Sequence, residues 1–211
     1  MKTAFILEAV AAVNQAILSS EAELESLDRE IGDGDHFINL KRGCAALLAM
    51  HDELSPLAPA EVLQRMGMKL LSTIGGASGP LLATFFMTLA KVEKTGDIST
   101  LAEIASAFHA SVEAVKQRGK ADRGEKTMLD TLLPVADTFT QLTQQDTDRH
   151  LLLTALQQAA EQGMQSTKDM IATKGRAAFL GERAIGHIDP GARSSQIIIH
   201  TICELAKTRT A

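Results

Sequence analysis

Leu27-Asp28-Arg29-Glu30-Ile31-Gly32-Asp33-Gly34-Asp35-His36 breaks the helical pattern near the start of the chain, and how it is read decides the fold. Three aspartates and a glutamate fall between Asp28 and Asp35, and only Gly34 separates the last two aspartates. Such a run repels itself, and either full solvation or a bound cation relieves it. Which applies depends on what the rest of the chain brings beside it.

Upstream, Phe5, Leu7, Val10, Val13, Ile17 and Leu18 trace one helical face over residues 4 to 18. Ser20-Glu21-Ala22-Glu23 then reads as a capping box starting a new turn toward Leu24 and Leu27. Downstream, a second helix is expected from Phe37 to about Met50, stopped by the two-proline segment His51 to Pro59. Pro59 opens a third helix, and Pro80, after Gly75-Gly76-Ala77-Ser78-Gly79, opens a fourth that runs over Leu81 to Val92 and ends at Thr95-Gly96-Asp97. A fifth is expected from about Thr100 to Gln117, a sixth from about Thr127 to Leu142, and a seventh from about Asp148 to Ile171. A loop from Thr173 to Asp189 follows, and Asp189-Pro190 reads as N-cap and first position of an eighth helix ending near Lys207.

Short connections make successive helices antiparallel neighbours, so the expected fold is all-α, an eight-helix up-and-down barrel or bundle forming one domain over residues 1–211. In that arrangement the acidic stretch, the Gly75 to Gly79 loop, the Gly119 to Lys126 loop and the Lys174 to Asp189 loop share one end. The turns near Ser55, Gly96 and Asp146 share the other and carry no unusual chemistry.

Composition agrees. Apolar residues are mostly Ala, Leu, Ile and Met, with neither Trp nor Tyr, which favours helices over sheets. A chain of 211 residues buries roughly 70 % of its unfolded surface, enough for a substantial core. The net charge of −5 argues against a nucleic-acid or anionic-membrane partner, since such surfaces need a basic excess. Apolar runs stop well short of the ~20 residues of a membrane span, and no signal-peptide pattern opens the sequence, so a cytoplasmic protein is expected. Cys44 and Cys203 have no Cys or His at metal spacing and read as buried, reduced thiols.

Asp28, Asp33 and Asp35 offer hard carboxylate oxygens, for which Mg²⁺ or Ca²⁺ is the natural guest, against the plainer reading of a solvated loop capping the next helix. An EF-hand does not fit, because Ile38 would fall on its required glycine and Cys44 on its terminal glutamate. Gly75 to Gly79 presents backbone N–H groups at a helix start, where phosphate oxygens bind, though it lacks the P-loop lysine. Lys174, Arg176 and Arg183 add cations at the same end. Together these are the parts that hold a nucleotide polyphosphate through a divalent cation and stabilise phosphoryl transfer.

Specific motifs sharpen this. Leu27 to His36 with Asn39 and Arg42-Gly43, Gly75-Gly76-Ala77-Ser78-Gly79-Pro80, Arg118-Gly119-Lys120, Lys126-Thr127-Met128, Lys174-Gly175-Arg176-Ala177, Leu180-Gly181-Glu182-Arg183, Ile185-Gly186-His187 and Asp189-Pro190-Gly191-Ala192 occur in order over nearly the whole chain. They closely resemble the L subunits of bacterial dihydroxyacetone kinases, the nucleotide-binding subunits of that enzyme.

The resemblance implies an eight-helix antiparallel barrel with Mg-bound ADP or ATP in the loops at one end. It assigns two Mg²⁺ ions to Asp28, Asp33 and Asp35, and counts these with Arg176 as the catalytic groups. It places His36, Phe37, Ile38, Asn39, Ala77, Ser78, Gly119, Met128, Arg176, Asp189, Pro190 and Gly191 around the nucleotide. In the phosphotransferase-system branch ADP stays bound as a coenzyme, a phosphohistidine on an M subunit recharges it, and the phosphoryl group passes to dihydroxyacetone held by a K subunit. A transcription regulator is a further partner the resemblance suggests, and a homodimer stays open.

The chain departs from the family pattern at three places. Phe37 stands where glycine is usual, Leu40 replaces a methionine, and Arg193 replaces a small hydroxyl residue. Two rival readings accompany the kinase subunit: an ATP-dependent kinase subunit for another small ketose, and an ADP-sensing adaptor.

Overall fold

The computed structural model describes residues 1–96, 98–145 and 147–209, and among them every regular element is helical. Asp97 and Asp146, expected in two of the far-end turns, lie outside the described residues. The α-helices are α1 (Thr3–Ser19), α2 (Glu21–Ile31), α3 (His36–Leu48), the single turn α4 (His51–Leu54), α5 (Pro59–Thr73), α6 (Ser78–Gly96), α7 (Leu101–Gly119), α8 (Leu129–Gln144), α9 (Arg149–Ser166) and α10 (Pro190–Lys207). The all-α class holds. The short α2 and α4 are additions to the eight helices expected, and α4 lies inside the segment read only as a stop.

Local chemistry sets the helix starts. Pro59 and Pro190 occupy the first turns of α5 and α10, where a missing N–H costs nothing. Asp148 caps α9 by accepting the N–H groups of His150 and Leu151 at 2.9 and 3.1 Å. Thr100 and Glu103 form a reciprocal capping box on α7, and hydrogen bonds from the Ser99 and Thr100 N–H groups and hydroxyls hold the Glu103 carboxyl down at about 2.

Three boundaries differ from the sequence reading. Ser20 precedes α2 but does not cap it; its hydroxyl donates to the Ala16 carbonyl at 3.0 Å, an acceptor inside α1. The seventh expected helix stops at Ser166 instead of Ile171, passing through a 3₁₀ turn at Thr167–Asp169 into extended backbone at Met170. The loop expected over 173–189 contains 3₁₀ turns across Ala177–Ala184, broken at Gly181, whose φ of 56° lies in the left-handed region.

The packing order is a closed ring. α3 packs on α5, α5 on α6, and each helix thereafter on its successor to α10, while α1 packs against both α10 and α3. One apolar core lies among α1, α3, α5 and α6, centred on Val62, Leu63 and Met66; another lies among α7 to α10, centred on Val135, Leu152 and Ala160. Gly163 allows α9 to approach α8 closely, since a Cβ there would meet the Asp130 carbonyl oxygen at 2.2 Å. That carbonyl lacks its helical donor because Pro134 has no N–H, so α8 gives up a bond at its tightest crossing.

α2 does not continue the ring. It turns 67° from α1 and packs against α3, α10 and the Ala177–Ala184 turns. Leu24 joins Ile17, Phe37, Leu40 and Ile197 in a buried cluster, and Ile31 joins Ala172, Ala177 and Ala184 in another. Arg193 at the start of α10 grips Glu23 with two 2.8 Å bonds, so this departure from the family pattern fastens α2 to α10. Cys44 and Cys203 are free, their thiols pushed up to about 11 and about 12 by burial. Among the described residues no single helix is long and apolar enough to cross a membrane.

Candidate functional site

The four loops expected at one end meet there. His36 Nε2 lies 3.0 Å from Ser194 Oγ, joining the start of α3 to α10. Gly75 donates its N–H to Asn39 Oδ1 at 3.3 Å, joining the glycine loop to α3. Arg176 Nε lies 2.8 Å from Asp33 Oδ2, and a Cβ on Gly191 would lie 3.5 Å from that of Met128. A Cβ on Gly119 would come within 3.4 Å of Leu81, beside the first turn of α6.

The acidic stretch is folded, not splayed. Asp28 is buried near the end of α2, and its Oδ2 accepts the His36 N–H at 2.9 Å, satisfying one of the open donors at the start of α3. Gly32 makes this possible: a Cβ there would sit 1.8 Å from Asp28 Oδ1. Gly34, at φ 77°, then turns the chain so that Asp33 and Asp35 face Asp28 from the solvent side. Ligand oxygens of the three carboxylates all lie within 4.8 Å of one another. Three hard oxygen donors so close, one of them buried, fit Mg²⁺ or a similar hard divalent cation.

Around the cluster the chemistry is complementary. The Arg176 guanidinium faces Asp33, while Gly76, at φ 63°, leads into the amino terminus of α6, whose amides and dipole favour an anion. Ser194 Oγ donates to the Gly191 carbonyl at 3.1 Å, so it accepts from His36, which assigns the Nε2–H tautomer to that ring. Burial holds His36 below its usual pKa of 6.5, against the raising effect of Asp28, Asp35 and the Pro190 carbonyl. The imidazole is neutral at pH 7. Asp189 caps α10 through the Ala192 N–H at 2.7 Å, and desolvation, with Asp130 nearby, pushes its carboxyl up to about 7.

Two residues of the expected nucleotide shell point elsewhere. The Phe37 ring is buried in the cluster with Ile17, Leu24, Leu40 and Ile197, so only its backbone faces the loop end. Ile38 is half-exposed on the outer face of α3.

The sequence reading missed the groups that hold the loops to each other. Asp130, buried, accepts the N–H groups of Gly124 and Thr127 at 2.5 and 2.8 Å and so folds the 120–128 loop. The Thr127-x-x-Asp130 spacing is a capping-box pattern and could have revealed it. Lys126, also buried, reaches the Thr167 carbonyl at the end of α9 and the His187 carbonyl in the last loop, while Glu125 accepts the Thr173 hydroxyl at 2.7 Å and pairs with Lys174 at 3.7 Å. Nothing local in the sequence announces those contacts.

Fold and site together define a class: an all-helical domain whose loop end sets a carboxylate cluster and an arginine beside glycine-rich backbone amides. Comparison with known proteins supplies the family. Residues 30–204 match the DAK2 domain, and the chain belongs to that family. It is 41% identical over 192 residues to the PEP-dependent dihydroxyacetone kinase, ADP-binding subunit DhaL, of Escherichia coli K12, covering 90% of this chain and 91% of that one. It is 36% identical over 192 residues to the PTS-dependent dihydroxyacetone kinase, ADP-binding subunit DhaL, of Lactococcus lactis, covering 91% and 92%. Human triokinase/FMN cyclase is 30% identical over 208 residues, which span 98% of this chain but 35% of that longer protein. Among solved structures, the dihydroxyacetone kinase from C. freundii in complex with AMP-PNP and Mg²⁺ superposes with a TM-score of 0.75 at 25% identity, covering 95% of this chain and 34% of that one.

Proposed function

We propose that this chain, as one domain over residues 1–211, is the nucleotide-carrying subunit of a dihydroxyacetone kinase. With Mg²⁺ on Asp28, Asp33 and Asp35 it holds ADP, accepts a phosphoryl group from a phosphohistidine on a donor subunit, and hands it to dihydroxyacetone held by another subunit. The observation that carries this is the cluster itself: three carboxylates within 4.8 Å of one another, with Arg176 on Asp33 at 2.8 Å. Its place beside a glycine-rich helix start is the second support.

The donor type is read from the relatives' names. Those matched over about nine-tenths of their length are named as PEP- or PTS-dependent ADP-binding subunits, whereas the human triokinase is matched over 35% of its length. That likeness favours the multi-subunit arrangement with a phosphohistidine donor.

Each group has a task in this reading. When bound, Mg²⁺ supplies positive charge that neutralises phosphate oxygens and makes the transferred group more electrophilic. Asp28, Asp33 and Asp35 hold that charge in place, and the His36 N–H bond keeps the Asp28 carboxylate aimed. Arg176 stabilises charge on the group in flight, a role that needs it to exchange its bond with Asp33 for one with phosphate. The Gly76 to Ser78 amides bind phosphate oxygens, and neutral His36, braced by Ser194, lines the nucleotide together with Asn39, Met128 and the Asp189–Gly191 turn.

Denaturing the purified protein and measuring the released nucleotide by ultraviolet absorbance should yield ADP; nucleotide-free protein would instead favour a freely exchanging ATP-dependent kinase subunit for another ketose. In a reconstituted system with donor and sugar-binding subunits, Asp33→Asn should lower triose phosphorylation at least about a hundredfold. Full turnover by that variant would sink the metal assignment.

A further inference from the structure

Lys126 is a cation with almost no contact with water: its exposure is 1%. Its backbone adopts φ 60°, a left-handed conformation that a long side chain takes only when its surroundings hold it there. The ammonium donates to the Thr167 carbonyl at the end of α9 and to the His187 carbonyl, at 2.5 Å, in the last loop. Neither acceptor is charged; Asp169 and Asp130, joined by Asp189 where it is ionised, supply the compensating negative field.

Thr167 carries the connection onward. Its hydroxyl accepts the Asp189 N–H at 3.0 Å, while its own proton goes to the Met164 carbonyl at 2.7 Å. Asp189 in turn caps α10, and the turn it opens places Gly191 against Met128. Met128 lies two residues from Lys126 in a loop folded by Asp130, and Thr131 on the first turn of α8 donates to the Ala192 carbonyl at 3.0 Å. Lys126 thus stands at the root of both sides of the contact between Met128 and the Asp189–Gly191 turn.

We propose that Lys126 is a positioning residue for the nucleotide, setting the separation between Met128 and the Asp189–Gly191 turn by anchoring the Thr167 and His187 carbonyls. This rests on the nucleotide-binding reading above. It adds that grip on the nucleotide is governed separately from grip on the cation, because the hydrogen bonds of the Lys126 ammonium go to Thr167 and His187 and not to α2 or the Asp33 to Asp35 loop.

The test is a split between two affinities. Lys126→Met keeps length and apolar volume but removes the charge and both hydrogen bonds; Thr167→Val removes the acceptor for the Asp189 N–H and the hydroxyl's bond to the Met164 carbonyl, and keeps the backbone carbonyl that Lys126 holds. Apo protein prepared by unfolding and refolding would be titrated with Mn²⁺ alone and with ADP in saturating Mg²⁺, with thermal unfolding measured alongside. Loss of charged hydrogen bonds predicts ADP binding weaker by about tenfold or more for Lys126→Met. A smaller loss is expected for Thr167→Val, with Mn²⁺ affinity within about twofold of the parent in both. ADP affinity unchanged in either folded variant overturns the proposal, and so does equal loss of Mn²⁺ and ADP binding, which is the pattern of general unfolding. Should Lys126→Met not fold, Thr167→Val decides on the same criteria. Parent protein that binds Mn²⁺ but no ADP, or neither, overturns the nucleotide reading itself and this proposal with it.

Discussion

Gly32 has no room for a methyl group, and the nearest obstacle is a carboxylate. Its backbone is extended, at φ −120° and ψ −152°, but the Asp28 side chain, 1.8 Å from a new Cβ, would have to swing aside and release the His36 N–H, and the Asp28 carbonyl oxygen, at 2.8 Å, would have to shift. Gly32→Ala should therefore cost about 1–2 kcal/mol of stability and lose about tenfold in Mn²⁺ affinity, measured by thermal unfolding and by titration of apo protein. Asp189 gives a second prediction at this scale. Its carboxyl is pushed from 3.8 up to about 7 in the fold, so between those values the folded state binds more protons than the unfolded state, and its contribution to stability falls as pH rises through that window. Asp189→Asn, which keeps a capping oxygen, should flatten the decline in apo stability from pH 4 to 7, read by denaturant titration at each pH. Residues whose chemistry is local were legible in the sequence, the aspartates of the acidic stretch above all, while the room that Gly32 leaves for the Asp28 carboxylate showed only in the fold. Lys126 was not, because its partners lie 41 and 61 residues away and no spacing rule connects them.

The same division holds for elements. Pro59, Asp148 and Asp189-Pro190 marked helix starts correctly, since a cap is satisfied within one turn. Ser20 misled because a serine hydroxyl has a competing acceptor four residues back, and in the structure it takes that one. The turns over Ala177–Ala184 lack a helical period and are fixed instead by α2, through Ile31 against Ala177 and Ala184. The α8/α9 crossing makes a sharp prediction. Alanine at Gly163 meets backbone, the Asp130 carbonyl at 2.2 Å, and backbone cannot rotate aside as the Asp28 side chain can. Gly163→Ala should cost about 1–3 kcal/mol, roughly 2–12 °C in thermal unfolding for a chain of this size. Asp130 also folds the 120–128 loop, so ADP binding should weaken with it.

For the whole molecule, the ring order follows from short connections, and the family motifs fall on the loops of one end because those loops must converge. Legible as a class, the ring hid its one deviation: α2 leaves it and lies across the loop end, fastened by Leu24, Ile31 and the Arg193–Glu23 pair. A ligand touching loops from several quarters of the ring should stabilise all of it. ADP with Mg²⁺ at a hundred times its dissociation constant should add about 2.7 kcal/mol and raise the unfolding temperature by roughly 5–10 °C, while ADP with chelator should add little.

The bond between His36 and Ser194 joins residues 158 apart in sequence, and the Arg193–Glu23 pair spans 170. During synthesis, then, the acidic loop emerges early and stays without its far wall until α10 has cleared the ribosome. On the proposed reading, nucleotide capture becomes a late event, reserved for molecules whose ring has shut, because a chain released before residue 189 has the carboxylate cluster but lacks the α10 side of the site. Contacts of such long range also favour slow closure, which makes the last helix the natural place to look for a rate-limiting step in folding.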